Sequence, residues 1–164
     1  MQVLIRDLDP ASDLAAVTQV YADAADYWTL ADRVPPNAAK AAAFFTDAPP
    51  GCDPGRSRHL GLFIGDRLGG LAELSFGFPV PGAAYLGLMI LMPALRGQGH
   101  GRTLLDRVER IALENGAPNL YLAVLSENPR GWAFWQREGF RTTGLSRQDT
   151  LTGHTLTRLT KPLV

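Results

Sequence analysis

The chain has 164 residues, 16 basic against 16 acidic side chains, 46% hydrophobic residues and a single cysteine. That length is enough for one domain with a respectable core, and the cancelled charge leaves no basic stripe of the kind nucleic-acid binding needs. Cys52 alone supplies neither a disulfide framework nor a metal cluster. With no charged and apolar leader at Met1–Arg6 and no apolar run of membrane-spanning length, the expectation is a soluble cytoplasmic protein with no membrane partner.

Val3–Ile5 reads as an opening strand. Ser12 or Asp13 can cap a helix running to about Tyr21, with Leu14, Val17, Val20 and Tyr21 at helical spacing. Residues 23–36 are a mixed acidic and aromatic stretch ending at a double proline. An Ala-rich second helix is predicted over Pro36–Phe45, and residues 47–58 form a Pro/Gly/Asp-rich loop. Strands are predicted at His59–Ile64 and Leu68–Phe78, with Gly65-Asp66-Arg67 as a hairpin turn. The run Tyr85–Leu91 is apolar on both faces, as a fully buried strand would be.

The next helix carries Leu104, Leu105, Val108, Ile111 and Ala112 on one face. Its polar side places Arg102/Asp106, Asp106/Arg110 and Arg110/Glu114 four apart, each pair worth ~0.2–0.5 kcal/mol. Asn115-Gly116 and Pro118 stop it, and Leu120–Leu125 is a second doubly buried strand. This strand–helix–strand unit implies parallel pairing with a right-handed crossover. Asn128-Pro129 opens a further helix that ends at Gly139, and strands near Phe140–Ser146 and His154–Leu163 close the chain. Without internal repeats or a long linker, residues 1–164 read as a single domain.

The most informative segment is Arg96-Gly97-Gln98-Gly99-His100-Gly101-Arg102, between an apolar strand and an amphipathic helix. A strand that ends in a glycine-rich turn and opens a helix builds an anion site, because the first helical N–H groups have no intrahelical partner and the dipole favours negative charge. Glycine lets a phosphate approach the backbone. The spacing fits neither the mononucleotide P-loop nor the Gly-x-Gly-x-x-Gly dinucleotide fingerprint. It resembles the acyl-CoA-binding signature of the GNAT N-acetyltransferase family, Gln/Arg-x-x-Gly-x-Gly/Ala, with Arg96, Gly99 and Gly101 at its three defined positions. The segment Asn128–Phe140 resembles the family's other signature, Asn-x-x-Ala-x-x-Phe-Tyr-x-x-x-Gly-Phe. Asn128, Phe134, Gly139 and Phe140 match it, Gly131 replaces Ala, and Trp135 stands where Tyr is common.

Taken over nearly the whole chain, the resemblance implies an α/β fold: a mostly antiparallel mixed sheet with a parallel βαβ core and about four helices. It implies an enzyme that moves an acetyl group from acetyl-CoA, with no metal, to a primary amine of a small molecule or peptide. A homodimer is one expected state. The pyrophosphate is expected on the turn formed by Arg96, Gly97, Gln98, Gly99, His100, Gly101 and Arg102. The pantetheine is expected to pair like a strand with Met89 and Leu91, near Asn128 and Phe134. The Leu91 N–H is the expected oxyanion donor.

The base is less determined. Residues 84–92 contain no Asp, Glu or His, which leaves Glu73 as the nearest acidic candidate and Tyr85 as a lesser one. The plainer reading of Glu73 is a carboxylate on a solvated sheet face. Family members commonly use Tyr at position 135 to reprotonate the leaving thiolate; indole is a hydrogen-bond donor only, so Trp135 can stabilise sulfur without protonating it. For the acceptor, Asp23, Asp26, Tyr27, Trp28 and Asp32 offer an acidic, aromatic lip suited to a cationic amine, the plainer reading being surface charges around a partly buried aromatic pair. An alternative function keeps the fold without turnover, as a coenzyme A-binding sensor.

Overall fold

In the computed structural model, which describes residues 2–164, seven strands form one sheet. They are β1 (Val3–Asp7), β2 (Arg58–Ile64), β3 (Arg67–Phe76), β4 (Ala84–Leu91), β5 (Asn119–Leu125), β6 (Arg141–Gln148) and β7 (Thr155–Pro162), in the spatial order β1-β2-β3-β4-β5-β7-β6. Every neighbouring pair is antiparallel except β4 and β5, which are parallel and joined by α4 (His100–Glu114). The remaining helices are α1 (Leu14–Asp23), α2 (Ala25–Asp32), α3 (Ala38–Ala43) and α5 (Pro129–Arg137). The mixed α/β architecture expected from the sequence is the one observed.

Each sheet face carries its own core. On one, Leu104, Leu105, Val108 and Ala112 of α4 bury against Leu62, Ala72, Leu74, Leu120, Leu122 and Leu159. On the other, Val17, Val20, Tyr21 and Trp28 of α1 and α2 join Ala41, Phe44, Phe63, Leu71 and Ile90. Burying a Leu or Phe fully contributes about 1.5–3 kcal/mol, so the two layers hold the helices in place on either side of the sheet.

Helix α2 is the main element absent from the sequence reading. Its residues ADYWTLAD lack a clean apolar period because a single side chain, Trp28, is buried. The Ala-rich helix is shorter than expected: Asn37, accepting the Lys40 N–H at 2.8 Å, caps it, so Pro36 lies outside. The three i,i+4 pairs expected on α4 do not come within 4.0 Å of each other among the described residues; Arg102 instead reaches Glu138 at 3.9 Å. The β3 strand ends at Phe76, two residues early, because Gly77 takes φ +98° and its N–H turns to the Ala83 carbonyl.

One irregularity shapes the rest. Leu74 pairs with Leu86, but Glu73 pairs with Leu88, which leaves Gly87 as an extra residue on β4. A one-residue bulge reverses the faces of everything beyond it. Thus Ala84 and Leu86 pack toward α4, whereas after the bulge Leu88 and Ile90 pack toward α1–α3. The strand is therefore apolar on both sides without being uniformly buried: Gly87 is exposed and Leu88, Met89 and Leu91 are half-buried. Beside it, β5 pairs only through Ala84↔Leu120 and Tyr85↔Tyr121. Past that rung the two strands part, and a cleft opens through the sheet.

Candidate active site

The cleft occupies about 1610 Å³ and is lined from both sides of the split, by Glu73, Tyr85, Gly87, Met89 and Leu91 on one side and Ala123, Leu125, Asn128, Phe134 and Trp135 on the other. The Met92 N–H bonds the Gly69 carbonyl at 2.8 Å, so it points toward β3. Main-chain groups alternate along a strand, which turns the N–H and C=O of Leu91 and Met89 away from β3 and into the opening. The Leu91 carbonyl accepts from Arg96 Nε at 3.1 Å. A half-open strand edge with free amides is a template for an extended ligand.

At the end of that edge lies the glycine turn. Gly97 and Gly99 adopt φ +74° and +85°, and a Cβ on either would meet nothing within 4 Å, so only the left-handed conformation demands glycine there. Gly101 is different: a Cβ would press on Phe134 at 3.3 Å, which makes it the contact through which α4 packs on α5. Between the Arg96 N–H, bonded to Pro93, and the Thr103 N–H, bonded to Gly99, no backbone amide has a carbonyl acceptor among the described residues. These donors, the positive end of α4 and the open space above the glycines form an anion cradle. Gly97, Gly99, Gly101, Arg96 and Arg102 line the cleft, but the side chains of Gln98 and His100 do not. Gln98 folds back to donate to the Ala94 carbonyl at 2.7 Å, which takes its side chain out of the turn.

The Glu73 carboxylate is not on a solvated face. It is 7% exposed, and burial pushes its pKa from 4.5 up to about 7, against a hydrogen bond from Ser75 Oγ at 3.1 Å that favours the charged form. Ser57 supports Ser75 at 2.7 Å between hydroxyl oxygens. The bulge makes room for this group: a Cβ on Gly87 would meet the Glu73 Oε2 and Cδ atoms, the latter at 3.1 Å. Asp47, in the loop over the cleft, raises the Glu73 pKa further. A buried carboxyl that titrates near neutrality beside an open strand edge can accept a proton from an incoming nucleophile.

The expected acidic lip is not available as free charge. Asp26 forms a two-point pair with Arg96, at 2.5 and 3.1 Å, which holds its carboxyl below the usual range and ties α2 to the end of β4. Asp23 pairs with Arg67 at 3.5 Å and Asp32 with Lys40 at 3.2 Å. Trp28 is 6% exposed, stacked on Tyr21 at 4.6 Å with Lys40 over its ring at 5.0 Å, so it is core rather than lip. Tyr27 lies edge-on to Trp28, its hydroxyl pushed up to about 12 by burial. The far end of α2 is fastened by His154, whose buried Nε2 lies 2.6 Å from the Leu30 carbonyl, and by Arg33, which donates to the Thr152 carbonyl at 3.0 Å.

On α5, Asn128 Oδ1 accepts the Gly131 N–H at 3.0 Å and caps the helix. The space that glycine leaves at 131 is filled by Asn128 itself, whose Nδ2 would lie 2.5 Å from a Cβ there. The small residue thus accommodates the cap and not a neighbouring strand. Phe134 and Trp135 are perpendicular at 4.9 Å, and Trp135 meets Phe140 at 5.3 Å. Sequence reasoning passed over Arg147 and Arg158, which lie on the final strands and project into the same cleft, and Phe78, which lines it. Only the sheet order brings them to β3 and β4, and no local motif marks them.

The model of the acetyltransferase (GNAT) family matches residues 17–140. Among solved structures, an acetyltransferase from Thermus thermophilus is 27% identical, with a TM-score of 0.78 over 99% of this chain and 98% of that one. The PaiA N-acetyltransferase of Thermoplasma acidophilum, in complex with coenzyme A, is 23% identical and superimposes with a TM-score of 0.73 over 99% of each chain. The ribosomal-protein-S18-alanine N-acetyltransferase of Escherichia coli shares the fold at 18% identity, a TM-score of 0.71, and 99% and 94% coverage. With the family model spanning the split strands, the glycine turn and α5, the chain belongs to the GNAT acetyltransferase family.

Proposed function

We propose that the protein transfers an acetyl group from acetyl-CoA to a primary amine, with Glu73 as the base. The observation that carries this reading is the Glu73 carboxyl, buried beside the open edge of β4 and titrating near pH 7. The residues present fit the donor: the amides of residues 97–102 and the α4 dipole suit its diphosphate, and the free edge at Met89 and Leu91 suits an extended pantetheine. Asn128 Nδ2, left over by the cap, and the Phe134 ring border the same arm.

When bound, the thioester supplies an activated acetyl carbon and a sulfur leaving group. Leu91 N–H is aimed to donate to the carbonyl oxygen as negative charge develops there. The amine must arrive neutral; Glu73, whose burial lifts its pKa to about 7, takes its proton directly or through one water. The nitrogen–carbon bond forms as the carbon–sulfur bond breaks, the nitrogen gives up its second proton to solvent water, and sulfur leaves as thiolate. Trp135 can donate a hydrogen bond to that sulfur but not a proton, so reprotonation falls to water, which a thiolate of ordinary basicity tolerates. The sensor alternative rests on Trp135 standing in place of Tyr and on the lack of an obvious base; the buried Glu73 carboxyl one strand from the open edge speaks against the second of these.

Calorimetric titration with acetyl-CoA, with NAD and ATP as controls, followed by thiol release over a panel of amines, tests the proposal. Micromolar binding of acetyl-CoA alone, about −8 kcal/mol, with amine-dependent thiol release is the expected result. Binding without release from any amine would return the protein to the sensor reading.

A further inference from the structure

Resting on that reading, the acceptor end of the cleft defines a substrate class. We propose that the acceptor is a free amino acid or close analogue, whose amine lies at Glu73 while its carboxylate or phosphorus oxyacid group is held by Arg158 and Arg147.

The sheet register places the groups. Ser75 pairs with Tyr85, Tyr85 with Tyr121, and Tyr121 with Thr160, so these four residues form one rung across β3, β4, β5 and β7 with their side chains on one face. Two residues further, where β4 and β5 have parted, Glu73 stands on β3 and Arg158, opposite Ala123, on β7. They face each other across the opening from strands three places apart, roughly 14 Å of sheet at about 4.8 Å per strand. Two long side chains reaching inward narrow that gap to the dimensions of a small molecule.

Between them is an aromatic floor. Phe78 and Tyr85 meet edge-to-face at 5.0 Å, and the Arg158 guanidinium sits 5.0 Å over the Phe78 ring. The ring orients Arg158 without neutralising it, and neither Arg158 nor Arg147 makes an ion pair within 4.0 Å among the described residues. Elsewhere Arg6, Arg58 and Arg96 are all matched to carboxylates. Both free guanidinium charges act on the Tyr85 hydroxyl, which Glu73 influences with the opposite sign. The Arg147 charge also reaches Asp149, whose carboxylate is occupied by Thr152 at 2.7 Å. Positive charge at one end of the floor and a carboxylate at the other match the dipole of an amino acid. A plain alkylamine would leave a half-buried guanidinium unanswered.

The test uses free L-amino acids, their α-carboxamides, the corresponding decarboxylated amines and an aminophosphonate series, each assayed by thiol release with acetyl-CoA. At least one acid is expected to exceed its own carboxamide in kcat/KM by about 10- to 100-fold, the range of a hydrogen bond to a charged group. The carboxylate and phosphonate arms show which oxyacid the cation pair prefers. Arg158→Gln should collapse the acid-over-amide ratio to near one, and Arg158→Lys should retain part of it, which separates lost charge from lost folding. Calorimetry of the preferred acid into the protein saturated with coenzyme A should show the same order of affinities. Amides or plain amines turned over as well as acids, with a ratio unmoved by Arg158→Gln, would overturn the acceptor class while leaving acetyl transfer in place. Thiol release from no amine at all would overturn both.

Discussion

Replacing Glu73 with Gln separates its catalytic role from its structural one, because the two predict opposite signs. In the folded protein burial raises this carboxyl from 4.5 to about 7, so between those values the native state holds a proton that the unfolded chain releases. Stability conferred by the protonated form is present below pH 4.5 and is lost as pH rises through 7. At about 1.4 kcal/mol per pH unit, the ionised group costs on the order of 3 kcal/mol at pH 8. Glu73→Gln keeps the shape and removes that cost. The variant should melt roughly 5–10 °C above the parent at pH 8, and the difference should vanish below about pH 4.5. Acetyl transfer should fall about a hundredfold or more, and the rise in rate up to about pH 7 should vanish with it. Thermal melts by circular dichroism at the two pH values, beside thiol-release rates across the range, read both effects. Parallel melting curves for the two proteins at every pH, or an unchanged pH–rate profile in the variant, would refute the argument.

Gly99→Val forces a β-branched residue into φ +85° and fills the space above the turn; calorimetry should show at least a tenfold loss of acetyl-CoA affinity. Gly87→Ala places a methyl group against the Glu73 carboxylate, so turnover should drop more than tenfold while acetyl-CoA binding changes little, measured by thiol release beside calorimetry. Trp135→Tyr introduces a hydroxyl acid at the end of the cleft; if reprotonation limits the rate, kcat should rise severalfold with KM for the amine unchanged, and a rate that falls would show that indole packing on Phe134 and Phe140 matters more.

The sequence made the parts of this site visible unequally, for identifiable reasons. The glycine turn and α5 carry their chemistry in consecutive residues, so Gly99, Gly101, Asn128 and Phe134 are legible from local spacing alone. The burial of Glu73 is not legible there, because it depends on a bulge at Gly87, and its raised pKa depends in part on the charge of Asp47, 26 residues upstream. Alternation along a single strand cannot reveal a parity reversal. Helix α2 is not legible because its one buried side chain gives no period, and the pairing of Asp26 is hidden because its partner lies 70 residues away. Arg158 sits in an ordinary edge-proximal strand, and only the order β5-β7-β6 brings it to the cleft.

The pairing of Arg96 with Asp26 and with the Leu91 carbonyl leaves the turn with few side-chain cations of its own. On the proposed reading, the diphosphate is held chiefly by peptide N–H groups. Such a grip acts at contact range, where dissolved ions screen weakly, so donor affinity should vary little between dilute buffer and physiological salt. Outside the left-handed glycines it is also hard to lose by mutation. A side chain can be exchanged for another, but every residue except proline brings an amide with it, and Gln98 and His100 are therefore free to drift while the cradle beneath them persists.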